Sequence, residues 1–299
     1  MRADVYTRVT NRILADLEQG VRPWFKPWSA ENTTGRITRP LRASGQPYKG
    51  VNVLMLWGEA IASGYACPTW MTYRQATELG GQVRKGARGA LVVYADRIHK
   101  TETTDSGEEV ERDIPFMKGY TVFNAEQIDG LPPRFTAAPS PVPPVFERVA
   151  AAERFVAATT ADIRYGGNRA YYAIDADRVQ LPPFESFTDA EGYYATLLHE
   201  LTHWTRHPTR LAREFGRKRW GDAGYAAEEL VAELGAAFLC ADIGVTPEPR
   251  ADHASYIASW LEVLKNDKRA IFTAASHAQR AADFLHGLQQ AEAMTGAAA

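Results

Sequence analysis

Apolar positions recur at helical intervals from the start of the chain. Val5, Val9, Ile13, Leu14 and Leu17 fall on one side of a helix over residues 3–19. A second helix is predicted over Val51–Ser63. A third is predicted over Thr69–Leu79, begun by Thr69 and ended at Gly80-Gly81. The period then changes. Leu91–Tyr94 and Tyr120–Phe123 are short apolar and aromatic runs that predict strands, and the polar, acidic stretch 101–113 between them predicts an exposed hairpin tip or loop.

Beyond residue 144 the pattern is mostly helical again. It predicts a helix over 145–159 and a short strand over 170–174. Thr188, with Glu191 three residues on, forms a capping box for a helix with Tyr194, Leu197, Leu198 and Leu201 on its apolar face; Pro208 stops it. Asp222 can cap, and Gly244 can end, a further helix through Tyr225–Cys240. With these two included, three or four helices complete the chain.

Between the two regions, residues 131–144 contain six prolines in fourteen positions. Such a stretch favours extended polyproline conformations and predicts a semi-rigid linker. The expected organisation is therefore α+β: a mixed α+β domain over residues 1–130, a Pro-rich linker over 131–144 and a mainly helical domain over 145–299.

Composition narrows the class. Apolar content of 45% and charged content of 23% are ordinary for a soluble protein. No apolar run reaches membrane-spanning length, and the N-terminus lacks the apolar core of a signal peptide. Two cysteines, Cys67 and Cys240, do not make a disulfide framework. A cytoplasmic protein with no membrane partner is expected.

The net charge of −2 conceals an asymmetry. Residues 1–100 carry 15 Lys/Arg against 7 Asp/Glu, whereas residues 101–134 and 135–299 are each net acidic. A basic segment joined to an acidic remainder points to a polyanionic partner. Aromatic rings alternate with the cations: Trp24 and Lys26, then Arg39, Tyr48 and Lys49, then Trp70 and Arg74, then Arg84, Lys85 and Arg88. Cations that meet phosphate beside rings that stack on unpaired bases are what single-stranded nucleic acid requires. No basic recognition helix for a duplex groove stands out.

The chemistry is concentrated in His199-Glu200-Leu201-Thr202-His203. On a helix the two histidines share one face and can reach one Zn²⁺, while Glu200 can act as general base toward water. A third histidine ten residues after the first would mark a metzincin, but that position is Thr209. His207 follows one turn later beside the helix-ending Pro208, which suits a helix-end or solvent role better than ligation. A glutamate from a following helix is the other solution. Glu229 and Glu233 are four apart and share a face, with Glu228 rotated off it. The spacing resembles the gluzincin pattern, in which the first acid binds metal and the second orients a ligand histidine. Glu229 is thus the expected third ligand and Glu233 the acid that holds the ring N–H of a ligand histidine, with the reverse assignment open. Mn²⁺ or Co²⁺ can occupy such ligands in place of Zn²⁺. Tyr225, His253 and Arg206 are candidates to stabilise an oxyanion.

Together the two halves resemble the ArdC family of antirestriction proteins of conjugative plasmids. The likeness rests on Pro23-Trp24, Pro47-Tyr48, Gly50, Asn52, Trp70, Thr72, Gln75-Ala76, Lys85-Gly86 and Val122-Phe123-Asn124 in the first half. In the second it rests on the histidine motif with Trp204, then His207-Pro208, Arg210-Leu211, and Glu228-Glu229 with Glu233. The first half also resembles the N-terminal region of TraC-type plasmid primases. The resemblance implies a domain that binds single-stranded DNA, joined to a zincin-like metallopeptidase domain acting on an unknown protein substrate. It also implies protection of incoming plasmid DNA from host restriction. The competing reading is a non-enzymatic single-stranded-DNA-binding protein whose metal site is structural.

Overall fold

The computed structural model describes residues 4–20, 24, 38–103, 109–135, 145–216, 223–245 and 253–296. Helix α1 (Val5–Glu18) begins where the Asp4 carboxylate accepts a hydrogen bond from the Thr7 backbone N–H, and it buries Val9, Ile13 and Leu17. Helix α2 spans Val51–Ser63 as the periodicity predicts. It closes on Gly64, whose left-handed φ of 70° suits a residue without a Cβ. Between them lies β1 (Leu41–Arg42).

The predicted helix over Thr69–Leu79 divides in two. Thr69–Met71 is a strand, β2, and the helix, α3, is only Tyr73–Glu78. Thr72 and Gln75 form a capping box that starts the helix three residues later than predicted, leaving Trp70 and Met71 to pair with Asn124 and Phe123 of a later strand. After β3 (Gln82–Val83) come two long strands, β4 (Ala90–Thr103) and β5 (Glu109–Asn124), paired antiparallel. The strands thus extend well into the segment expected to be a hairpin tip, and only residues 104–108 lie outside the described residues. The four-stranded sheet runs β1-β2-β5-β4, while β3 pairs with β6 (Ile128–Asp129).

The Pro-rich segment does not begin as a linker. Leu131 and Phe135 are buried in a small core with Met71, Ala76, Val83, Ala125 and Ile128. The remainder of that segment, 136–144, lies outside the described residues.

The second half contains α4 (Val145–Ala157) and a small sheet of order β7-β9-β8, formed by β7 (Asp162–Tyr165), β8 (Tyr171–Ala173) and β9 (Arg178–Leu181). Helices α5 (Ala190–Trp204), α6 (Ala223–Ile243), α7 (His253–Asn266) and α8 (Ala270–Gly296) follow. The cap of α5 is Asp189 rather than Thr188: its Oδ1 accepts from the Gly192 N–H at 2.7 Å, one residue later than predicted. The predicted cap of α6, Asp222, lies outside the described residues; Gly244 ends that helix as expected, at a φ of 85°. No helix among the described residues is long and apolar enough to cross a membrane.

The two halves share a core. Trp57 of α2 packs against Phe238 of α6, Trp24 against Trp260 of α7, and Tyr6 of α1 against Phe272 of α8. A partly buried polar clasp reinforces the join. Arg39 donates through Nε and Nη2 to the two oxygens of Asp242 at 2.9 Å each, and through Nη1 to Gln279. Asp242 is on α6, the helix that also carries Glu228, Glu229 and Glu233.

Candidate metal centre

Helix α5 packs between the small sheet and α6, so twelve of its fifteen residues are buried, His199, Glu200 and His203 among them. It meets α6 at very short range where Thr202 faces Gly235. A Cβ on Gly235 would lie 2.5 Å from Thr202 Cγ2 and 2.7 Å from its Oγ1. That close approach, possible only with glycine, carries the acids of α6 to the histidines of α5.

The Nε2 atoms of His199 and His203 each lie 3.5 Å from a different oxygen of Glu229. The two imidazole rings are 4.9 Å apart, and one ligand atom from each of the three residues falls within 4.8 Å of the others. A spacing of 3.5 Å is long for a hydrogen bond. It is close to the edge of about 3.3 Å expected of a tetrahedron with ligand bonds near 2.0–2.1 Å. Two imidazole nitrogens and a carboxylate therefore fit a divalent cation. Glu200 is not in this donor group. It follows His199 on α5 and is only 2% exposed.

The opposite nitrogens of the rings face two further acids. His203 Nδ1 lies 3.0 Å from Glu228 Oε1. His199 Nδ1 lies 3.8 Å from Glu233 Oε2. Glu229 lies with the two histidines and Glu233 beside His199 Nδ1, while Glu228 is the acid that the sequence pattern rotates off their face. The structure places Glu228 in the centre, on His203, because a helix packed this closely presents two consecutive residues to its neighbour.

Arg213, also missed, holds Glu228. Its Nε and Nη2 each donate at 2.8 Å to opposite oxygens of that carboxylate, while Nη1 reaches Thr205 Oγ1 and Nη2 the Thr202 carbonyl. The turn after α5 aims Arg213 inward. Leu211 N–H donates to Thr205 O, and Arg213 N–H to Arg206 O, through a left-handed Ala212 with φ of 46°. Arg210 secures the same turn by donating to the Trp204 carbonyl and to Asp177. The only sequence signal for Arg213 was a cation soon after the motif.

Charge follows contact. Burial opposes protonation of His203, but Glu229 and Glu228 outweigh it and raise its pKa to about 10. Burial opposes ionisation of Glu228, but Arg213 and His203 lower it to about 2. Glu229 is likewise buried, yet His203 and His199 hold it well below the ordinary carboxylate range. Without metal, the two carboxylates thus favour the protonated form of His203.

The other predicted residues divide by location. Tyr225 is half-buried one turn before Glu229, His253 begins α7, and the buried Nε of Arg206 meets no acceptor among the described residues. His207 bonds its own turn at Thr209 and takes no part in the donor group. Of the residues expected on DNA, Trp24 and Trp70 are each 1% exposed, and Tyr48 and Arg39 are buried. These four are corrections to the expected contact surface: in the fold they are core rings and the clasp to Asp242. Lys49 is exposed but paired with Asp283, and Arg74 with Glu78. Arg84, Lys85 and Arg88 are exposed on the loop before β4. Lys26 lies outside the described residues.

Known proteins align with both halves. The family described as the N-terminal domain of anti-restriction factor ArdC matches residues 3–123, and the family of zincin-like metallopeptidases matches residues 150–277. The protein y4eC of Sinorhizobium fredii is 46% identical over 96% of this chain and 92% of its own length. A DNA primase TraC of Escherichia coli is 38% identical over 95% of this chain, which spans only 27% of that primase. The metal-free crystal structure of antirestriction protein ArdC from plasmid R388 superposes with a TM-score of 0.81 at 46% identity, covering 96% of this chain and 98% of that one. The Mn(II)-bound crystal structure of the same protein superposes with a TM-score of 0.77 at 45% identity, with the same coverage.

Proposed function

Because the chain belongs to the ArdC family of antirestriction proteins, we propose that it binds single-stranded DNA through its first half and hydrolyses a protein substrate at the centre on α5 and α6. In this reading it acts in the cytoplasm and protects plasmid DNA arriving by conjugation from restriction. His199, His203 and Glu229 hold a divalent cation, Zn²⁺ or Mn²⁺, which supplies Lewis acidity toward water and a peptide carbonyl.

Glu200 takes the proton of the attacking water and returns it to the departing amine. Glu228 keeps the Nδ1 of His203 occupied, so its Nε2 points to the shared centre, and Glu233 faces His199 in the same sense. The observation that supports this reading best is the convergence of both Nε2 atoms on one carboxylate, with Glu200 buried beside them and outside the donor group. A structural zinc site usually uses four protein ligands, often thiolates; among the described residues this one offers three and a spare acid.

The test is Glu200→Ala, assayed for metal content, peptide hydrolysis and plasmid transfer into a restricting host. The variant is expected to keep its metal and lose hydrolysis and protection together. Undiminished protection would leave the DNA-binding half of the proposal and reject the proteolytic half.

A further inference from the structure

The buried positions of Trp24, Trp70 and Tyr48 mean that any ring stacking on DNA comes from elsewhere. The outer face of the β4–β5 hairpin presents such rings. Along β4 this face runs from Val92, which is buried in the core, to Tyr94 and Asp96, opposite Tyr120, Lys118 and Phe116 of β5. Tyr94 is 49% exposed and Tyr120 45%. The ring of Tyr94 lies 6.4 Å from that of Tyr120 and 6.2 Å from that of Phe116, at interplanar angles of 77° and 56°. At those angles no ring of the row lies flat upon the next.

The opposite face of the hairpin is already occupied. Leu91 and Val93 pack on the core, and the Asn52 side chain of α2 pairs with both backbone groups of Val93 at 2.7–2.8 Å. We propose that Tyr94, Tyr120 and Phe116 form a platform on which unpaired bases of single-stranded DNA stack, with Lys118 meeting the phosphate backbone. The inference rests on the DNA-binding half of the reading above and gives it a location.

Charge favours this occupant over an apolar peptide. The Lys118 ammonium lies 5.2 Å from the Phe116 ring centre, and Lys118 is exposed. The loop with Arg84, Lys85 and Arg88 leads directly into β4; Arg88 precedes Tyr94 by six residues, about 20 Å of extended chain. Cations therefore lie along and at the end of the ring row, the combination that grips single strands independently of sequence. Asp96 is the acid among the described side chains of this face, and its carboxylate accepts the Tyr94 hydroxyl hydrogen bond, which fixes the ring.

The experiment is a fluorescence-anisotropy titration of labelled oligo-dT with the full-length chain, its Tyr94→Ala/Tyr120→Ala variant, Tyr94→Ala alone and Tyr94→Phe. Affinity is expected to fall about tenfold for each ring removed, given roughly 1–3 kcal/mol per stacked base. Tyr94→Phe, which restores the ring without its hydroxyl, is expected to recover most of what Tyr94→Ala loses. Lys118→Gln is expected to flatten the log-affinity against log-salt slope by about 0.7. A double variant that binds dT as tightly as the parent overturns the platform while leaving DNA binding intact. A double variant that loses an acidic peptide but keeps dT overturns it in favour of a protein partner. A parent chain that does not bind dT at low salt rejects the DNA-binding reading and the platform with it.

Discussion

Arg213→Ala is the most direct probe of how the metal centre is built. The side chain is 3% exposed and makes four hydrogen bonds, two of them the fork onto Glu228, which is itself 3% exposed. Its removal leaves a buried carboxylate with only His203 and takes donors from the Thr202 carbonyl and the Thr205 hydroxyl. Stranding one member of a buried ion pair costs about 3–5 kcal/mol. A protein of this kind has about 5–15 kcal/mol of stability in all. The urea midpoint of the metal-stripped variant, followed by tryptophan fluorescence, should therefore fall steeply. Arg213→Ala/Glu228→Ala no longer strands the charge, so a coupling of at least about 2 kcal/mol should separate the double variant from the sum of the singles. Metal affinity should fall about 10- to 100-fold in Arg213→Ala, because the acid that orients His203 has lost its anchor. A destabilisation below about 1 kcal/mol, or additive single changes, would refute the assignment of Arg213 as the support of this centre.

Two further predictions concern the helix crossing and protons. Gly235→Ala should lower stability by about 1–3 kcal/mol through overpacking against Thr202, and adding Thr202→Ala should recover much of the loss; equal melting temperatures for parent and Gly235→Ala would contradict the close approach. Metal binding should strengthen as pH rises. Proton and cation compete for His203 Nε2, whose pKa in the metal-free chain is raised to about 10, so protonation dominates below that pH and weakens binding as pH falls. Titration calorimetry in buffers of different ionisation enthalpy should show about one proton released per ion bound near neutral pH, and zero release would argue against the protonated state.

Much of this architecture is legible in the sequence because periodic burial is local. Helix α2 follows the spacing of its apolar residues to its predicted ends, and α1 does so to within two residues. The paired histidines are legible for the same reason, since i and i+4 on a helix share a face. What escapes is set by the partner surface. Glu228 and Glu229 differ by about 100° of helical rotation, and a single helix gives no sign that both face inward; the crossing at Gly235 decides that. Arg213 depends on the path of an irregular turn. The alternation of rings and cations in the first hundred residues also misled: large apolar rings such as Trp24 and Trp70 are drawn to the core, while Tyr94 and Tyr120 remain about half-exposed on their strands. The proline count at 131–144 similarly concealed Phe135, which is buried in a small core with Leu131.

The clasp of Arg39 with Asp242 sets how the molecule can be dissected. Cutting at the proline-rich segment would strand a buried arginine on one fragment and its partly buried carboxylate partner on the other. It would also bare the apolar sides of α2 and α6, including Trp57 and Phe238. Neither excised piece would be a faithful sample of its role in the whole, because the two halves share one core.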